Sequence, residues 1–228
     1  EEIKKTPDTS DWLKTVDSWK RKHPLAYIDG NKIKPQYVIE QIYEATKGDA
    51  IITTEVGQNQ MWACQWYKYD HPRTFLSSGG LGTMGFGFPA AMGAKMGCPQ
   101  SQVFDIAGDG SIQMNIQELA TCVCNKINVK VAILNNGYLG MVRQWQELFY
   151  KKRYSYTSLY NPDFVKLAES YGAVGIRVTK KEEVRPAIEK ALSIDNTVFI
   201  DFHIEPEENV YPMVPAGEAI NRMIGGMA

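Results

Sequence analysis

Val103-Phe104-Asp105-Ile106-Ala107-Gly108-Asp109-Gly110-Ser111 is the stretch on which the fold turns. Its first five residues are a short β-type run, and its last four are a loop with a glycine on each side of an aspartate. Such a loop permits a sharp turn and close approach of the backbone to a ligand. Three further runs share the β character: Ala50-Ile51-Ile52-Thr53-Thr54, Val129-Lys130-Val131-Ala132-Ile133-Leu134 and Val198-Phe199-Ile200-Asp201-Phe202. Helical stretches separate them, from Pro89 to Met96, Ile116 to Asn125, Pro162 to Tyr171 and Glu182 to Leu192. Alternating strands and helices predict an α/β fold, a doubly wound and mostly parallel sheet with helices on both faces. Ligands of such sheets bind beyond the carboxyl ends of the strands, so the chemistry is expected in the loops that follow them.

Gly108-Asp109-Gly110 alone is a weak signal, because a plain turn reads the same way. Its position matters more: a helix follows, and a helix N-terminus can receive phosphate. Twenty-four residues then separate Gly110 from Asn135-Asn136. That span fits the helix and return strand of one βαβ unit, which takes roughly 30 residues in all. A right-handed crossover would bring Asn135-Asn136 to the end of a neighbouring parallel strand. Asp109 and Asn136 could then direct oxygens at a common point. One carboxylate, one amide oxygen, a backbone carbonyl and two phosphate oxygens suit Mg²⁺, which prefers oxygen and few carboxylates. The competing reading of Asn136-Gly137 is an ordinary turn.

The 228 residues are 44% hydrophobic and 22% charged, enough for a sizeable core. A formal net charge of −1 gives no general affinity for nucleic acid or anionic membranes. No apolar run is long enough to span a membrane, and Glu1-Glu2-Ile3-Lys4-Lys5 does not open a signal peptide, so a cytoplasmic protein is expected. The cysteines Cys64, Cys98, Cys122 and Cys124 form no Cys-x-x-Cys pair and read as reduced, buried thiols. Cys122 and Cys124 on one helix would point about 200° apart, too far to share a metal. His23, His71 and His203 show no ligand spacing. Residues 1–30 read as a linker with an amphipathic helix, Trp12 and Trp19 seven apart, packed on the domain surface. A second helix begins at Lys34-Pro35 and ends at Gly48. The domain proper covers 31–205, and residues 206–228 form a tail rich in Pro, Gly and Met. The absence of an initiating Met suggests part of a longer chain.

Gly-Asp-Gly, about 25 residues, then Asn-Asn resembles the signature of thiamine-diphosphate enzymes. Val56-Gly57-Gln58-Asn59-Gln60-Met61-Trp62, Ser77-Ser78-Gly79-Gly80-Leu81-Gly82-Thr83-Met84-Gly85 and Gly140-Met141-Val142-Arg143-Gln144-Trp145 are similar to segments of the acetohydroxyacid synthase (acetolactate synthase) catalytic subunits. Pro212-Met213-Val214-Pro215-Ala216-Gly217 is similar to their C-terminal tail, which implies that 206–228 lies over the active site.

The resemblance implies roles by position. Asp109 and Asn136 would hold the metal through side chains, and Tyr138 through its backbone carbonyl. Gln58 and Asn59 would contact the diphosphate, with Gly110 and Ser111 beside it. Val56, Gly57, Gly108, Leu139 and Gly140 complete the cofactor-binding set. Gly82 and Met84 would lie along the aminopyrimidine, Met84 as the wedge that holds the cofactor bent. Met141 and Val142 would border the thiazolium. Trp145 would line the substrate channel and favour the larger second 2-oxo acid. Two positions depart from the family pattern. Asn59 stands where His is usual, although Asn still donates hydrogen bonds. Glu55 stands where Gly or Asp is usual, and the resemblance gives it no role.

The implied reaction is decarboxylation of pyruvate and addition of the two-carbon unit to pyruvate or 2-oxobutyrate, in branched-chain amino-acid synthesis. Implied partners are a second copy, as a homodimer or higher homo-oligomer, and a regulatory small subunit. A Glu that assists the cofactor is expected on a separate N-terminal domain, and FAD on a middle domain, both in the full-length enzyme. This chain alone is therefore expected to be inactive or nearly so. The alternative within the same class is another thiamine-dependent decarboxylase or carboligase.

Two other readings compete. Gly80-Leu81-Gly82-Thr83-Met84-Gly85 spells G-x-G-x-x-G with Asp105 twenty residues on, as in a dinucleotide fingerprint. Against it, Thr74 to Ser78 is a poor central strand and Asp105 lies inside its own. Arg143, Trp145, Phe149, Tyr150, Tyr154 and Tyr156 form a basic-aromatic stretch that could bind single-stranded nucleic acid or a protein. The net charge favours a helix at a subunit interface.

Overall fold

A computed structural model describes residues 7–225. The larger of two compact units is Asp29–Val210. Its strands are β1 (Ala50–Thr54), β2 (Phe75–Ser77), β3 (Gln102–Gly108), β4 (Lys130–Asn135), β5 (Val174–Val178) and β6 (Val198–His203). Helix α1 (Ser10–Lys22) belongs to the other unit. The larger one holds α2 (Pro35–Thr46), α3 (Gln58–Trp66), α4 (Gly87–Gly97), α5 (Asp109–Ile112), α6 (Leu119–Cys124), α7 (Gly140–Phe149), α8 (Phe164–Ser170) and α9 (Val184–Ser193). All strand pairs are parallel, in the order β2-β1-β3-β4-β6-β5. The chain leaves β1 for β2 on one side, then crosses back to β3 on the other. That reversal opens a crevice at the carboxyl ends of β1 and β3.

Strand alternation divides the core into two layers. Ile52, Phe104, Ile106, Ala132, Leu134, Ile200 and Phe202 pack with α2, α3 and α9 through Val38, Ile39, Ile42, Trp62, Val184 and Ile188. Val103, Ala107, Val131, Ile133 and Phe199 face the other way, onto Phe88, Ala91, Leu119, Cys122, Phe164 and Ala168. Period-two alternation between two covered faces is what a parallel sheet requires.

Several elements differ from the sequence reading. The stretch from Ile116 to Asn125 is a 3₁₀ turn at Ile116–Glu118 followed by α6, not one helix. Helix α2 stops at Thr46, where Lys47 turns left-handed at φ 53° ahead of Gly48. Of the four thiols, all free, only Cys122 is buried; Cys64, Cys98 and Cys124 are exposed. Cys122 and Cys124 lie on opposite sides of α6, as their angular separation requires.

The second unit joins the segment before Asp29 to the segment after Val210. In α1, Trp12 and Trp19 meet edge to face at 5.5 Å, and both are more than half exposed. Met213 and Ile224 form an antiparallel bridge in the tail. Among the described residues no helix is long and apolar enough to cross a membrane.

Candidate functional site

Beyond the carboxyl ends of β1, β3 and β4 lies a cleft of about 230 Å³. Val56, Gly57, Gln58, Asn59, Gly82, Met84, Gly108, Asp109, Gly110, Ser111, Asn136, Tyr138, Leu139, Gly140, Met141 and Val142 all line it. The sequence singled these out in four separate segments, and the fold brings them to one place. Trp145 is not in its wall. It lines a neighbouring depression with Val142, Gln146, Tyr150, Arg153 and Ser155, and Val142 borders both.

The β3–β4 connection places the central pair. Asp109 is almost fully buried, and its Oδ2 accepts from the Gly137 N–H at 3.0 Å and from Asn161 Nδ2 at 2.6 Å. Burial pushes its pKa up to about 6. Asn136 Oδ1 accepts from the Tyr138 N–H at 3.0 Å, and its Nδ2 donates to Gln58 Oε1 at 3.2 Å. Tyr138 bridges to Ser158 through the carbonyls of Gly137 and Thr157, which leaves its own carbonyl out of that pairing. Among the described residues no cluster of three or more His, Cys, Asp or Glu side chains could hold a metal. The donors gathered here are one carboxylate, one amide oxygen and a backbone carbonyl. They fit a hard divalent ion that draws further oxygens from a bound ligand, and not a zinc-type site.

Two helix N-termini open into the same cleft. Residues 56–60 at the start of α3 and 139–142 at the start of α7 line it, and neither helix has a side-chain cap. First-turn N–H groups have no acceptor within their own helix, and they carry the positive end of its dipole. Anionic oxygen is the ligand that such ends take. The Gln58 and Asn59 side chains are differently engaged. Gln58 gives its N–H groups to Gln144 Oε1 at 2.9 Å and to the Glu208 carbonyl at 3.0 Å, and Asn59 gives one to the Ile106 carbonyl at 2.8 Å.

Missing side chains permit close packing around the cleft. A Cβ on Gly140 would lie 2.1 Å from Gln58 Oε1, and one on Gly110 would lie 2.9 Å from Leu159 and 3.2 Å from Leu139. The Met84 methyl reaches the same spot, 3.9 Å away.

Four residues to which the sequence reading gives no role support the cleft. Asn161 ties Asp109 to Asn135, donating to Asn135 Oδ1 at 3.1 Å, and Gln113 donates to Asn161 Oδ1 at 3.1 Å. Gln144 holds Gln58 and also donates to the Val210 carbonyl at 2.9 Å. Glu55 is fully buried, and desolvation pushes its pKa up to about 7. Burial and the nearby Glu55 raise buried Asp105 as well.

The competing sites lose their footing here. Strand β2, ahead of the G-x-G-x-x-G run, is a three-residue edge strand. At the start of α4, the helix after that run, the Phe88 N–H and the preceding Gly85 N–H are both taken by Glu55 and are not open to a pyrophosphate. Arg143 is buried and paired with Glu147 at 2.6 Å, so it offers no exposed cation to nucleic acid.

The chain resembles known proteins over most of its length. It is 47% identical over 227 residues to the acetolactate synthase large subunit of Haemophilus influenzae, covering 98% of this chain and 40% of that one. The Corynebacterium glutamicum acetolactate synthase large subunit is 50% identical over 222 residues, covering 94% and 36%. The Escherichia coli acetolactate synthase isozyme 3 large subunit is 46% identical over 218 residues, covering 93% and 38%. The chain thus spans well under half the length of each. Residues 55–202 match the thiamine pyrophosphate enzyme family in its C-terminal TPP-binding domain, a span holding every cleft residue named above. Through that domain, which covers more than half of its length, the chain belongs to the thiamine pyrophosphate enzymes.

Proposed function

We propose that this cleft holds thiamine diphosphate through a Mg²⁺ ion, and that the chain supplies the cofactor-binding part of an acetolactate synthase. The observation that carries the reading is the meeting of two uncapped helix N-termini with the Asp109, Asn136 and Tyr138 oxygens in one cleft. Asp109 and Asn136 would hold the ion through side chains, and Tyr138 through its carbonyl. The diphosphate would lie against Gly110 and Ser111 and the first N–H groups of α3 and α7. The Gln58 and Asn59 side chains, bonded elsewhere, act mainly by fixing that backbone. Gly82 and Met84 would flank the aminopyrimidine, with Met84, Leu139 and Leu159 as an apolar wall opposite Gly110. Met141 and Val142 would border the thiazolium, and Trp145, in the adjoining depression, would meet the second 2-oxo acid.

The bound cofactor supplies a nucleophilic carbon and an electron sink; the protein supplies binding, orientation and electrostatics. The substrates proposed are pyruvate with a second pyruvate or 2-oxobutyrate. The partners proposed are a second copy of the chain and a regulatory small subunit. The named relatives support this choice over another thiamine-dependent decarboxylase.

A chimera tests the activity. This chain replaces the matching region of the Haemophilus influenzae relative, with which it shares 47% identity. The chimera is expected to form acetolactate from pyruvate. A folded, cofactor-loaded chimera that releases only acetaldehyde would favour the decarboxylase instead.

A further inference from the structure

Glu55 directly follows β1 and is fully buried, yet the reaction proposed above gives it nothing to do. Its own N–H donates to the Ile106 carbonyl at 3.1 Å, which locks its backbone to β3. Its carboxylate turns towards the start of α4. Oε2 accepts from the Gly85 N–H at 2.5 Å, and Oε1 accepts from the Phe88 N–H at 3.0 Å. No local side chain caps α4, since its N-cap is Phe86. Glu55 therefore does from the end of a neighbouring strand what a capping residue does locally, with its two oxygens accepting at the start of the helix.

Gly85 is the junction. Its N–H goes to Glu55, and its carbonyl accepts from Asn115 Nδ2 at 2.7 Å. It sits at φ 93°, a left-handed backbone that favours glycine. The residue before it is Met84, whose methyl lies on the cleft wall near Gly110. The other end of this turn is pinned by Ser78, which accepts from the Gly82 N–H at 3.0 Å and from the Thr83 N–H at 3.1 Å.

We propose that Glu55 is a positioning residue, whose buried carboxylate clamps the Gly85 and Phe88 N–H groups and so sets Met84 against the ligand in the cleft. The length of the side chain is part of the device: Asp at this position is one methylene short of spanning both donors. The inference rests on the cofactor reading of the cleft.

The test uses the whole chain with Glu55→Gln, Glu55→Asp and, as a milder second route to the same peptide, Asn115→Ala. Methyl-labelled methionine reports Met84 by NMR, amide exchange reports Gly85 and Phe88, and calorimetry gives the affinity for thiamine diphosphate with Mg²⁺. Glu55→Gln keeps one acceptor oxygen and turns an N–H against the other amide, so its expected signature is faster exchange at one of the two amides, a shifted or broadened Met84 methyl and roughly tenfold weaker cofactor binding. Glu55→Asp is expected to recover only part of this. If Glu55→Gln does not fold, Asn115→Ala decides, with the same Met84 shift expected. Wild-type Met84 signals and wild-type affinity in folded variants would overturn the proposal. A Met84 shift in a protein whose wild type binds no thiamine diphosphate would instead leave the clamp standing and overturn the cofactor reading.

Discussion

Asp109→Ala is expected to abolish Mg²⁺-dependent binding of thiamine diphosphate. Asp109 is the one carboxylate among the three proposed ligands, and a hard dication draws most of its affinity from charged oxygen. Loss of an outer-shell partner costs about 10- to 100-fold in metal affinity, so loss of the ligand itself should exceed 100-fold. The alanine also removes an acceptor from the Gly137 N–H and from Asn161, which could loosen the Asn135–Tyr138 loop. Asp109→Asn separates the two effects, because it keeps an oxygen for Gly137 and loses the charge. Equilibrium dialysis at varied Mg²⁺ should show both variants losing the metal dependence. If Asp109→Asn binds the cofactor as wild type does, Asp109 is not the metal's anchor.

Gly87→Ala is expected to be among the most destabilising single substitutions in the chain. A Cβ there would stand 2.4 Å from the Glu55 nitrogen and 2.5 Å from the Thr54 carbonyl carbon, both backbone atoms of a central layer, and 2.3 Å from Asp105 Oδ1. No rotamer change relieves a clash with backbone, so α4 must move off β1 and β3. Overpacking costs typically about 1–3 kcal/mol, and a clash on two strands at once belongs at the top of that range or above it. Because Glu55 holds the same helix start, the cleft should loosen with it. Urea unfolding gives the measurement, and a loss under about 0.5 kcal/mol, the usual range for surface changes, would mean that α4 does not seat there.

The part of the fold legible in the sequence follows from burial. Strands β3, β4 and β6 lie inside the sheet with both faces covered, so they read as apolar runs interrupted by a single charged residue each (Asp105, Lys130 and Asp201), and β1 reads almost as clearly. Strands β2 and β5 were not among the runs read as strands. They are the two sheet edges, half-buried at most positions, and β2 has only three residues. Helix α3 opens with Gln58-Asn59-Gln60 and shows almost no amphipathic stripe, so only its ligand-like motif stood out.

The site divides in a similar way. Residues of the cleft wall sit in four short segments, and each carries a local signature of glycines with Asp, Asn or Met. The supports do not. Asn161 reaches Asp109 across 52 residues, Gln144 reaches Gln58 across 86, and Glu55 reaches Gly85 across 30. None has a spacing that points to its partner, because only the folded sheet brings them together. Glu55 is visible in the sequence only as a departure from the family pattern, and the α4 start that it caps is 30 residues away.

Calorimetric titration of the chain with thiamine diphosphate, with and without Mg²⁺ and against NADH, tests the central claim most directly. One thiamine diphosphate per chain, bound only when Mg²⁺ is present, with no heat from NADH, is the predicted result. Binding of NADH in the cleft, or thiamine diphosphate binding of equal strength in EDTA, would contradict it.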